Sequence, residues 1–347
     1  MASPSKVTLD SEAWVSDMGV HRKRLLYLDT RFWIDMADSR DPAHARLRRI
    51  LRSAVSAGLM LCPASSASFM ELARQTDSLK RAPKLDLLDE LSQKVCLKPQ
   101  PGLFIAEVLH IASCELGLQH ASQMLPRTRA YGHVAECCSP LAATYGSSPE
   151  SPTDARLQAQ LALSAVYTMP TKDLIGLADP SAPRSHDESL KEIASYLDAM
   201  NRHTTEHATS RQELFDVELQ ALEHWAAETI RRRLSVTEYC DSAPQAKGAG
   251  VSLFVSTILD RGWLRLCPSL RILAKLSAAR RKEGRFVAHD IFDTEHATRP
   301  IPYADCVALD KHHRHLCKDV LGLHADYGTV VTDDVNEVIA WAESVKE

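Results

Sequence analysis

LLYLDTRFWIDMA, residues 25–37, changes period in mid-course. Its opening LLYL is an unbroken apolar run, which reads as a buried strand, and Asp29 closes it. RFWIDMA then begins a helix. The same phrasing returns three times. LMLCPASSASFMELAR (59–74) opens on a second strand candidate, LMLCP, followed by a serine-rich helix start and SFMELAR. CVAL (306–309) is a strand candidate directly before Asp310 and the helical KHHRHL. GTVV (328–331) is the last strand candidate, and VNEVIAWAESV (335–345) is the closing helix. Strands alternating with helices predict an α/β fold, with a central parallel sheet of about four or five strands flanked by helices.

Between these blocks the pattern changes. Phe215, Leu219, Leu222, Ala226 and Ile230 recur at helical spacing, and the stretches 103–123 and 154–167 also read as helices. The Pro/Ser-rich segments 139–153 and 179–186 read as loops, and no strand is expected here. VSLFVSTIL and LAKLSAARRKEGR add two helices on the far side. The expected organisation is a discontinuous α/β domain over 20–100 and 250–347, interrupted by an all-helical insertion over 101–249. The chain as a whole should be helix-rich.

Composition narrows the class. Hydrophobic residues are 45% and charged residues 25% of 347, ordinary for a folded globular chain. A net charge of −4 gives no global sign of nucleic acid, so local charge must decide. No apolar run is long enough for a membrane helix, and the opening MASPSKVTLDSEAW has no apolar signal core. The nine cysteines include no CxxC pair, which fits reduced thiols in the cytoplasm rather than a disulfide framework.

The acids fall where chemistry is expected. Asp29 ends the first strand and Asp310 follows the CVAL strand, and in open parallel sheets the carboxyl edge is where sites form. Glu71 lies about one turn into the helix after the second strand, and Asp293 stands in DIFDTEH before CVAL. Carboxylates that converge repel without a counter-charge, and oxygen-rich clusters of this kind hold Mg²⁺ or Mn²⁺. Asp290 competes with Asp293 for the third place, and Asp305 competes with Asp310 or caps the strand. Asp333 and Asp334 read as helix caps, whereas Asp29, at a strand end before a helix start, satisfies both the capping and the functional reading, and the other three acids favour function.

These pieces, together with FVAHDIFDTEHATRPIPYADCVALDKHHRHL (286–316) and YGTVVTDDVNEVIAWAESV (327–345), resemble the PIN-domain-like metal-dependent ribonucleases. The likeness covers roughly 130 residues in two blocks. It implies Mg²⁺- or Mn²⁺-dependent endonucleolytic cleavage of RNA, with Asp29, Glu71, Asp293 and Asp310 as metal-holding residues and Asp305 assisting. It also implies toxin or defence roles, and leaves a homodimer and an inhibitory protein partner as open expectations. Leu309–Asp310 departs from the threonine-bearing motif of the family, and the insertion is far longer than its minimal domain allows.

Basic residues flank the acids. Residues 261–285 carry eight Lys or Arg against Glu283, and 21–52 carry nine against four acids. Arg280, Arg281, Lys282, Lys311 and His312 are the candidates for gripping single-stranded or structured RNA, because phosphate contacts dominate such affinity. Trp33, Trp263, Phe286 and Tyr303 are the aromatics available for base stacking. The histidines at 312, 313 and 315 read as a solvated helix face or as phosphate contacts. His203 with His207, the Arg202-to-His207 spacing, and His133 with Cys137–Cys138 read as incidental. Two alternatives stay open: a non-catalytic RNA- or protein-binding module, and a nuclease acting on DNA or on particular nucleic-acid structures.

Overall fold

A computed structural model describes residues 11–38, 41–73, 75, 77–117, 124–134, 170–171, 210–236, 244–283 and 288–345. The expectations over 139–153, 154–167 and 179–186, and at Cys137, Cys138, Arg202, His203, His207 and Phe286, lie outside the described residues.

The first α/β block runs α1 (Ser11–Asp17), β1 (Arg24–Leu28), α2 (Thr30–Asp38), α3 (Pro42–Ser56), β2 (Met60–Leu61), β3 (Ala64–Ser65), α4 (Ser66–Ala73), α5 (Ser78–Ser92) and β4 (Val95–Leu97). Next come α6 (Gln100–Glu115), α7 (Arg127–Ala130), β5 (Tyr131–His133), α8 (Arg211–Val236), α9 (Pro244–Asp260), α10 (Pro268–Lys282) and α11 (Ala288–Thr298). The chain closes with β6 (Cys306–Ala308), α12 (Lys311–Arg314) leading into a π-helical turn, α13 (Leu323–Tyr327), β7 (Val330–Thr332) and α14 (Val335–Glu343).

The main sheet has the order β2-β1-β6-β7 and every neighbouring pair is parallel. Helices flank it, as the alternating pattern predicts. Four consecutive residues of β1, from Leu25 to Leu28, are buried, because a parallel strand is covered on both faces. The decisive pairing is β1 with β6, where Leu26, Tyr27 and Leu28 sit opposite Cys306, Val307 and Ala308. Helix starts are set by side chains: Asp41 caps α3 ahead of Pro42, Asp310 caps α12, and Asp334 caps α14. The capping reading of Asp334 is therefore correct.

A second sheet was not expected. β3 pairs parallel with β4, and β4 pairs antiparallel with β5. Residues 60–65 feed the main sheet with their first half and the second sheet with their second half. Pro63 stands at the break, where a residue without an N–H cannot extend a ladder. β5 corrects the expectation that 101–249 holds no strand. Cys96 is disulfide-bonded, against the expectation of reduced thiols throughout, whereas Cys62, Cys114, Cys267, Cys306 and Cys317 are free.

Two buried clusters form. The larger packs the sheet against α2, α3, α5 and α14, and the smaller gathers Phe104, Val108, Ala226, Ile230, Val255, Ile258 and Leu270 from α6, α8, α9 and α10. Glu107 joins them. It is 1% exposed, and it accepts hydrogen bonds from Ser269 Oγ and Tyr303 Oη, both at 2.6 Å. Burial pushes its carboxyl up from an ordinary 4.5 to about 7, although both hydroxyls and the Ser269 N–H pull the other way. The folded chain then keeps a proton that the unfolded chain releases above pH 4.5. Stability from this group is complete below that value and is lost as pH rises through 7. Thermal unfolding at pH 5.5 and 8 is expected to show a wider gap for the parent than for Glu107→Gln, whose amide does not titrate.

Candidate metal centre

Strand alternation builds the site. Tyr27 and Asp29 are two residues apart at the end of β1, so they project to the same face of the sheet. There they meet Glu71 from α4 and His296 from α11. Donor atoms of Asp29, Glu71 and His296 all lie within 4.8 Å of one another. His296 Nε2 stands 3.5 Å from Glu71 Oε2. The imidazole is 2% exposed, and its Nε2 has no hydrogen-bond partner. Its other nitrogen, Nδ1, is 2.6 Å from the Tyr27 hydroxyl, which lies 2.8 Å from Ser65 Oγ. Ser65 Oγ accepts the Ser68 N–H at 3.1 Å and lies 3.2 Å from Ser68 Oγ.

Arg299 holds α11 in place. Fully buried, it donates to Ser66 Oγ at 2.7 Å and to Glu295 at 2.5 Å, and so ties α11 to the start of α4. Burial draws the His296 imidazole toward its neutral form, but Tyr27, Glu71 and Asp29 outweigh it and hold its proton affinity well above the ordinary range. An imidazolium and a divalent cation are alternative answers to the same pair of carboxylates, and a cation takes the nitrogen by displacing its proton. Two carboxylates and one imidazole are a donor set suited to divalent first-row metals.

Asp310 is adjacent but turned aside. Its backbone N–H donates to Asp29 Oδ2 at 3.2 Å. Its own Oδ1 accepts the His312 and His313 N–H groups at 2.7 and 3.1 Å, and its Oδ2 lies 2.5 Å from His313 Nδ1. Burial works against its charge, yet His313 and these N–H groups hold the carboxyl well below the usual range. A carboxylate offers about four acceptor positions, and three are taken here. Asp293 is half-buried on α11, one helical turn before His296 and therefore on the same side of the helix.

The other acids go elsewhere. Asp290 is buried and pairs with Arg280. Asp305 lies at the opposite end of the sheet, before β6. It accepts the Leu25 N–H at 2.8 Å and two guanidinium bonds from Arg127 at 3.1 and 2.9 Å. The strand-capping reading describes it, and the structure does not bring it to the cluster. Asp29, by contrast, accepts from Asp310 across the strands rather than capping α2 in the ordinary way.

The basic candidates also divide. Lys282 and Lys311 are exposed. Arg280 is mostly buried between Asp290 and His312, and desolvation together with Arg280 lowers the His312 pKa. Arg281 is only 2% exposed at its side chain and pairs with the buried Glu218 of α8, so it does not face solvent. His313 is buried as well, which corrects the reading of that run as a uniformly solvated face.

His296 and Tyr27 were missed. Both stood in plain spacing: His296 follows Asp293 by three in a helix, and Tyr27 precedes Asp29 by two in a strand. No protein-family model matches the chain, and no curated protein or solved structure matches it significantly.

Removing one member of a buried ion pair strands the other charge. Arg281→Ala is expected to cost about 3–5 kcal/mol in a denaturant titration. Loss of stability of that size, with any nucleic-acid affinity judged only on folded protein, marks Arg281 as a joint between α8 and α10.

Proposed function

We propose that this chain is a metal-dependent endoribonuclease of the PIN-like kind. One observation carries the reading: Asp29 and Glu71 converge with His296 at the carboxyl edge of a parallel sheet. A helix-flanked, all-parallel four-stranded sheet is consistent with that fold. The buried Nε2 of His296, with no hydrogen-bond partner and 3.5 Å from Glu71, fits a bound cation.

Asp29, Glu71 and His296 would hold the ion, with Asp293 and the remaining acceptor position of Asp310 beside them. A divalent cation, when bound, activates water and offsets charge on the phosphate. The chain's own residues do the rest. The Asp310 N–H fixes the Asp29 carboxylate against the β6 edge. Exposed Lys282 and Lys311 meet phosphates flanking the cut. Hydrolysis adds water across the P–O3′ bond and leaves 5′-phosphate and 3′-hydroxyl ends. No side-chain nucleophile is required.

The test uses labelled single-stranded RNA and matched DNA with Mn²⁺, Mg²⁺ or EDTA. RNA cleavage is expected with metal and not with EDTA. Asp29→Asn should lose more than the roughly 10–100-fold that removing a supporting partner costs, with its melting temperature little changed. Lys311→Ala should instead weaken RNA binding and lower the salt slope by about 1. An Asp29→Asn protein cutting at the parent rate removes Asp29 from the mechanism. Binding of RNA without cleavage favours the binding-module reading, and cleavage of DNA alone favours the alternative substrate.

A further inference from the structure

We propose that His296 is the third donor of the metal centre, so that its cation is held by one imidazole nitrogen and two carboxylates, with Tyr27 as the residue that positions the ring. This deepens the metal reading above and rests on it. The resemblance implies an all-oxygen set with Asp293 in that place. The geometry points to the imidazole, because Nε2 is the buried polar atom at the cluster that has no hydrogen-bond partner.

The hydroxyl chain has one direction in which Nε2, and not Nδ1, carries the lone pair. If Nδ1–H donates to the Tyr27 hydroxyl at 2.6 Å, Tyr27 donates to Ser65 Oγ at 2.8 Å, and Ser65 donates to Ser68 Oγ at 3.2 Å. Each hydroxyl then both accepts and donates, and Ser65 also accepts the Ser68 N–H at 3.1 Å. With that direction the polar groups running away from the cluster are paired, and the nitrogen facing the carboxylates, 3.5 Å from Glu71 Oε2, is the position a cation would take from a proton. Ligating histidines ordinarily have the distal N–H fixed by such a partner, which sets tautomer and ring orientation. Here a buried phenol on β1 does so, from the strand that also supplies Asp29.

The ligand class follows. Imidazole nitrogen suits borderline first-row ions, whereas Mg²⁺ prefers an all-oxygen shell. The site should therefore take Mn²⁺, Co²⁺ or Zn²⁺ in preference to Mg²⁺, by a wider margin than an all-carboxylate version of itself.

The experiment loads the purified full chain with Mn²⁺ and reads nitrogen-14 modulation by pulsed electron paramagnetic resonance, with calorimetric titration of Mn²⁺, Co²⁺ and Mg²⁺ alongside. Modulation from a directly bound imidazole is expected in the parent. It should persist in Asp293→Asn and vanish in His296→Asp, which should also narrow the gap between Co²⁺ and Mg²⁺ affinity. Tyr27→Phe should weaken Mn²⁺ binding about 10–100-fold. Bound Mn²⁺ without modulation in the parent overturns the proposal even if His296→Asp fails to fold, and modulation that survives in His296→Asp overturns it too. In the parent-only case the metal reading stands with oxygen donors alone. No binding of any of these ions overturns both. Nitrogen-bound Mn²⁺ with no RNA cleavage upholds the ligand assignment and removes the nuclease.

Discussion

The parallel pairing of β1 with β6 is the contact on which the rest of the molecule depends. It joins segments 280 positions apart, and at each end a backbone N–H of one strand donates to a carboxylate of the other. At the amino end Asp305 accepts the Leu25 N–H while Arg127 grips its carboxylate. At the carboxyl end the Asp310 N–H reaches Asp29. Both acids secure the same strand pair, but their surroundings give them different chemistry. Asp305 has a bidentate guanidinium to offset its charge, and so it is spent on structure. Asp29 faces Glu71 and an imidazole, and so its charge stays open to a cation.

Bringing two carboxylates together at a half-buried edge is unfavourable unless something answers their charge. The fold supplies His296 on a helix pinned by Arg299, a residue with no exposed surface. That helix cannot drift without breaking the Arg299 contacts to Ser66 and Glu295. The imidazole is held in addition by Tyr27, whose own place is fixed by the β1–β6 register. The candidate centre is thus built on two strands and two helices rather than on loops, which favours a fixed donor geometry.

How far the amino-acid order discloses this can be judged element by element. β1, β6 and β7 were readable because each is a short apolar run ended by an acid or a turn and followed by a helical pattern. Asp29 and Glu71 stood out as candidates for the same reason, the carboxyl edge of a parallel sheet being where sites form, and the structure brings the two together. β4 and β5 were not readable. VCL follows Gln93 and Lys94, whose positive φ of 50° and 63° ends α5 by backbone geometry with no glycine to announce it. YGH carries a glycine and a polar residue, the opposite of strand composition. His296 was passed over because attention to acids hid a nitrogen donor one helical turn beyond Asp293. The burial of Arg281 was equally invisible, since a run of three basic residues looks like surface until α8 is packed on it.

The two histidine–carboxylate pairings at this edge are not equivalent, and the difference assigns their parts. Asp310 gives Oδ1 to the start of α12 and Oδ2 to His313, so most of its acceptor capacity is consumed by its own helix. Its depressed pKa reflects that local satisfaction rather than readiness for a ligand. His296 stands beside carboxylates that belong to other elements, and its free nitrogen faces them. A cation needs donors that are drawn from separate elements and not already paired, because only these can close around it. By that criterion the proposed centre lies between Asp29, Glu71 and His296, and Asp310 would act chiefly through its backbone N–H, which holds the Asp29 carboxylate.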